Sequence, residues 1–168
     1  MRRILSPAEG GTLRKLLAVM FCLQLGVAGC AMRGGRASAN QRGERLAIER
    51  GRLSELADPV ARTKSYIVIS DLLLSFAADA AREQAYDFRV LLEYGRTIRT
   101  ARETIVNSER RLDRLPQGYT DLEGALRRQV RTLQDFRRNV DPRDEEPLDQ
   151  AIQVASSIRE EMTNMLSR

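Results

Sequence analysis

The sequence has no His, no Trp and only two Cys, Cys22 and Cys30, in 168 residues. Without His, the usual general base at neutral pH and the commonest metal ligand are missing, and two Cys cannot build a disulfide framework. No metal or other cofactor is expected, and no small-molecule substrate is evident. Aromatic residues are scarce at 5%, and 26 Arg stand against two Lys, Lys15 and Lys64. What is present is a chain 42% hydrophobic and 30% charged, with its apolar residues mostly Leu, Ile, Val and Ala. That composition supports one globular domain and favours helices over a β-sandwich.

A net charge of +5 would point to nucleic acid if it lay on the folded part of the chain. It does not. Residues 1–29 carry four basic side chains against one acidic, residues 30–52 six against two, and residues 53–168 eighteen against twenty. Neutralising phosphates takes a concentrated basic surface, so nucleic-acid binding is not expected.

Arg14-Lys15 leads into an apolar run from Leu16 to Ala28. About a dozen residues is the length of a secretory h-region, well short of the roughly 20 that a transmembrane helix needs. Residues 1–29 therefore read as a signal peptide, and Cys22 would leave with it. At the end of the run, Val27-Ala28-Gly29-Cys30 resembles the lipobox of bacterial lipoproteins: an aliphatic residue and two small ones before Cys. The resemblance covers residues 1–30. It implies that Val27, Ala28 and Gly29 are recognised by a lipoprotein signal peptidase. It further implies that Cys30 takes a diacylglycerol on its thiol, becomes the mature N-terminus and is acylated on its amino group by a fatty acid such as palmitate. Two or three acyl chains hold a protein on a membrane where one is marginal. No Asp follows Cys30, which in that family implies the outer rather than the inner membrane, with the protein facing the periplasm.

Eight of the eleven Gly precede Leu53, and residues 31–45 mix Gly, Ser, Asn, Ala and Arg without an apolar period. Residues 30–52 thus read as the lipidated Cys and a basic, flexible tether whose Arg residues could touch anionic head groups. A short helix is expected at about Arg45 to Ala57, where Leu46, Leu53 and Leu56 recur at near-helical spacing.

Residues 53–168 carry helical seams punctuated by breakers. Asp58-Pro59 predicts an N-cap followed by the first helical position. Tyr66, Ile69, Leu73, Phe76 and Ala80 then follow a 3,4 spacing, and a second seam runs from Leu91 through Tyr94, Ile98, Ala101 and Ile105 towards Leu115. One unbroken helix from Val60 to about Arg114 would be roughly 80 Å long and would leave much of its seam unburied. A reversal near Arg82 to Tyr86 is expected instead, with Gly95 the other candidate hinge. Leu115-Pro116-Gln117-Gly118-Tyr119 reads as a loop. Thr120-Asp121-Leu122-Glu123 reads as a capping box, opening a helix that ends before Asp141-Pro142. The last helix begins near Asp144-Glu145-Glu146-Pro147, with acids at its positive end, and reaches Leu166. The expected fold is all-α: an antiparallel bundle of about four helices.

Few constellations rise above an ordinary solvated surface. Asp79, Glu83 and Asp87 lie four apart, a spacing common on salt-bridged helix faces, and Glu145-Glu146 and Glu160-Glu161 are not in shielded clefts. Lys64 and Ser65 are adjacent, so on a helix they point about 100° apart and make a poor nucleophile and base. Arg127, Arg131 and Arg138 share one face with Arg128 nearby. The stretch from Tyr66 to Phe76 does stand out. Its apolar residues cover more of the helix than one core stripe needs, with Ile67 and Leu74 seven apart beside the main seam. Either this helix is central to the bundle, or Ile67 and Leu74 form an interaction stripe for a partner or a second copy.

The expected function is that of a lipid-anchored, non-enzymatic helical protein of the bacterial envelope that binds another envelope component. The alternative is a self-associating coiled-coil spacer. In plan, residues 53–168 are similar to small helical envelope lipoproteins, although no motif in them specifies a family.

Overall fold

The computed structural model describes residues 39–82, 88–108, 115–141 and 145–167. Contacts divide the chain into two units, residues 1–42 and residues 43–168. Of the first, residues 39–42 are described, and they are helical. The second holds five helices among the described residues: α1 at 43–53, α2 at Pro59–Arg82, α3 at Phe88–Val106, α4 at Leu115–Arg137 and α5 at Glu145–Leu166. The folded unit is all-α, as the seams predict.

The start of α2 is where Asp58-Pro59 places it. The Asp58 carboxylate accepts a hydrogen bond from the Ala61 N–H at 3.2 Å, and the Asp58 carbonyl accepts one from Arg62 N–H at 2.9 Å. One of the donors left open at a helix start is thereby satisfied. The expected break after Arg82 is present: α2 ends there and α3 begins at Phe88. Gly95 is no hinge but lies within α3. Glu145 and Glu146 fall in the first turn of α5, where negative charge meets the positive end of the helix dipole.

Two expectations are corrected. The folded unit begins at Gly43, ten residues before the boundary drawn at Leu53, because α1 brings Leu46 into the core at 9% exposure with Leu53 packed against it. Residues 43–52 are thus part of the domain and not of a tether. Second, Leu115 to Tyr119 is not a loop but the first turns of α4. Pro116 is tolerated there because the first helical positions need no intrahelical donor. Thr120 is not an N-cap: its hydroxyl donates to the Pro116 carbonyl at 2.8 Å, as a residue inside a helix does. Glu123 pairs with Arg127 instead of closing a capping box.

Gly118 belongs in this helix for a packing reason. A Cβ built there would lie 2.4 Å from Ile105 Cδ1 and 3.5 Å from Val60 Cγ2. Only a residue without a side chain lets the start of α4 come so close to the end of α3 and the start of α2.

These meetings fix the topology. α2 and α3 form one antiparallel hairpin, and α4 and α5 the other. Along α2 and α4, Val60 lies near Gly118, Lys64 faces Asp121, and Ser70 meets Gln129. Both sets of numbers rise together, so α2 and α4 run parallel. Ile105 near Gly118 and Tyr94 bonded to Gln129 show α3 running opposite to α4. The helices pair as α2 with α3, α4 with α5, α2 with α4 and α3 with α5; α3 and α4 touch more lightly across the middle, and α2 and α5 do not meet. Tyr94, Ile98, Leu126, Leu133 and Met162 are all but fully buried in the resulting core.

Candidate functional site

Of the residues singled out in the sequence, Val27, Ala28, Gly29 and Cys30 lie outside the described residues, as do Glu83 and Asp87. The apolar stripe of α2 can be placed. Leu74 is 4% exposed and belongs to the core cluster, and Ile67 is half-buried and packs against that cluster. The broad apolar surface of α2 is used in packing: α3 lies on one side and α4 on another, and α1, with Leu46 and Leu53 in or against the same core cluster, lies alongside. Leu74 is therefore not available at the surface of a single copy, which favours packing within the bundle over an interaction stripe, the two alternatives for Ile67 and Leu74.

The most buried polar constellation lies where α2, α3 and α4 meet. The Tyr94 hydroxyl donates to Gln129 Oε1 at 3.1 Å. Gln129 Nε2 donates to Ser70 Oγ and to Asp71 Oδ1, both at 2.7 Å. Ser70 in turn donates to the Ile67 carbonyl at 2.8 Å. Tyr94, Ser70 and Gln129 are buried, while Asp71 reaches solvent. Burial first, and the Asp71 charge second, push the Tyr94 phenol well above its ordinary range. It stays a neutral donor, and the amide uses both ends. A satisfied network of this kind fixes which turns of three helices face one another, because a shift by one turn would strand its buried groups. Its role is positional, with the phenol donating and both ends of the Gln129 amide engaged.

Sequence periodicity placed Tyr94 on a seam but did not single out Gln129. The signal was there. Leu122, Leu126, Gln129, Leu133 and Phe136 follow a 4,3,4,3 spacing, so Gln129 is a polar residue in an apolar frame.

A small open cavity of about 180 Å³ lies between α1 and α2, lined by Glu49, Arg52, Ala61, Lys64, Ser65 and Val68. Lys64 and Ser65 diverge as their adjacency demands. Lys64 is exposed with its ammonium 3.5 Å from Asp121 Oδ2 on α4, whereas Ser65 is buried. Ligand pockets typically span about 300 to 1,000 Å³, and this cavity is smaller. Among the described residues, no group of three or more His, Cys, Asp or Glu is placed to hold a metal ion.

The surface arginines divide into two groups. On α4, Arg127 pairs with Glu123, Arg128 donates to the Gly124 carbonyl, and Arg138 pairs with Asp135. Arg137 ties the end of α4 to the start of α5 through Asp149 and Glu145. Most of the basic face read in the sequence is thus engaged within the chain. Between α3 and α5, Arg102 holds Glu161 through two hydrogen bonds of 2.7 Å. That hydrogen bonding and the Arg102 charge keep the Glu161 carboxyl below its usual range, against a smaller opposing effect of burial. On α3, by contrast, Arg96 and Arg99 are exposed and form no ion pair among the described residues.

No helix among the described residues is long and apolar enough to cross a membrane. Compared with known proteins, the chain matches no family model, no curated protein and no solved structure.

Proposed function

We propose that this chain is a lipid-anchored, non-enzymatic helical module of the bacterial envelope, held on the periplasmic side of the outer membrane through Cys30 and acting by binding another envelope component. The observation that carries this reading is the order of features at residues 14–30: a basic pair, an apolar run of h-region length, and Val27-Ala28-Gly29-Cys30 at its end. The folded unit supports it indirectly. Buried Tyr94, Ser70 and Gln129 form a closed structural network, and the cavity between α1 and α2 is smaller than a typical ligand pocket. A self-associating coiled-coil spacer is the less favoured reading, because Leu74 of its expected seam is in the core.

The test is the fractionation of cells that make the full-length chain or its Cys30→Ala variant. The wild type is expected in the outer-membrane fraction in a processed form, and the variant is expected to remain unprocessed or lose outer-membrane association. Equal processing and equal location of the two would overturn the reading.

A further inference from the structure

The outward side of α3 carries an unusual stripe. Arg89, Leu92, Arg96 and Arg99 recur at spacings of three, four and three residues, and all four are exposed. At 3.6 residues per turn they share one face, opposite the core positions Tyr94, Ile98 and Ile105. Leu92 is 53% exposed, among the most exposed large apolar side chains of the described residues. No acidic residue interrupts the stripe before Glu103, because Glu93 is turned to one flank, where it pairs with Arg50 of α1. On the other flank Arg102 pairs with Glu161 of α5. The α3 cation that meets α5, Arg102, is neutralised there, whereas Arg96 and Arg99 on the outward side form no ion pair among the described residues. A helix face of cations around an exposed aliphatic side chain is complementary to a lipid surface: the guanidinium groups meet anionic head groups, and the aliphatic chain enters the head-group boundary.

We propose that this face of α3 rests on an anionic lipid bilayer. The inference builds on the lipid-anchored reading. Eight residues separate Cys30 from Ala39, where the described helical residues begin, a reach of at most about 32 Å for an extended chain. The chain enters the unit through α1, whose Arg50 is paired to Glu93 beside the stripe. An anchor at Cys30 would therefore keep the stripe near a bilayer, and contact through α3 would set the orientation in which the rest of the bundle meets its partner. The rival basic face, on α4, is less suited because most of its arginines already have acceptors within the chain.

The test uses residues 43–168, which hold the whole core cluster and contain no Cys, so the result does not depend on lipidation. Circular dichroism first establishes that each protein is folded. Partitioning is then measured by sedimentation with vesicles of phosphatidylcholine, with and without phosphatidylglycerol. Binding is expected only to the anionic vesicles and should weaken with salt. Losing two charges through Arg96→Gln with Arg99→Gln should weaken it on the order of thirty-fold, whereas Arg127→Gln with Arg131→Gln should change it little. Equal binding to neutral vesicles, no binding to either, or insensitivity to the Arg96 and Arg99 changes would overturn the proposal. So would binding to a soluble polyanion such as heparin as tight as that to anionic vesicles, because the stripe would then recognise charge without a lipid surface. These failures would leave the lipid-anchored reading standing, whereas an unmodified Cys30 would remove that reading without altering the vesicle result.

Discussion

Gly118 shows how one residue can be misread when only local preference is considered. Beside Pro116 it reads as a turn, yet it lies in α4, where its missing side chain leaves room for Ile105. Replacing it by Ala should help the helix by roughly 1 kcal/mol through propensity, but Ile105 is fully buried and must shift. The expected net effect is a loss of about 1 to 2 kcal/mol, as for other overpacked sites. Ile105→Val removes the nearest atom, so in denaturant melts the double variant should lose clearly less than the two single changes added together. Additive losses would show that the contact does not limit this site. Gly95 supplies the contrast, since a Cβ there meets nothing within 4 Å, and Gly95→Ala should stabilise the domain by about 0.5 to 1 kcal/mol.

At the scale of the helix, α2 settles the question raised by its surplus apolar residues. Leu74→Glu would place a charge in the core at a position 4% exposed and should unfold the domain. Ile67→Glu, at a half-buried position, should cost less, about 1 to 3 kcal/mol. Thermal melts with sedimentation of the same samples check this, and a folded Leu74→Glu that merely lost self-association would contradict the placement. Between α3 and α5, the Glu161 carboxyl is held below its ordinary value by Arg102. Its contribution is therefore present above the usual glutamate range, near pH 4.3, and is lost as pH falls through the lower folded value. Each side chain is about a third exposed, so the contribution should be modest, about 1 kcal/mol after screening. Glu161→Gln should be less stable than wild type by that amount at pH 7, and the gap should close towards pH 3. A gap that did not change with pH would rule out the ion pair as its source.

At the scale of the molecule, the helices and most of their ends were legible in the sequence because each is marked by an apolar period and a breaker, as at Asp58-Pro59 and Glu145-Glu146. What was not legible depends on distant residues. The start of α4 turned on the approach of Ile105 to Gly118, 13 positions away, and no local rule contains that contact. The role of Gln129 needed the knowledge that α4 runs parallel to α2, which places it against Ser70 and Asp71. The domain boundary at Gly43 was missed because α1 is rich in Arg and contains Gly51, so by composition it resembles a tether while a few Leu positions dock it. The stripe on α3 became visible only when Arg50, Arg102, Arg127, Arg137 and Arg138 were seen to be paired while Arg96 and Arg99 form no ion pair among the described residues, since arginines are frequent throughout the chain.

The central claim, that a helical module is held at the envelope through Cys30, is tested most directly by the intact mass of the protein purified from the membrane fraction of cells that make the full-length chain. The account predicts the mass of residues 30–168 increased by a diacylglycerol and a further acyl chain, with the added mass on the N-terminal peptide that begins at Cys30. A mature protein retaining residues before Cys30, or beginning elsewhere with no lipid on it, would contradict the account.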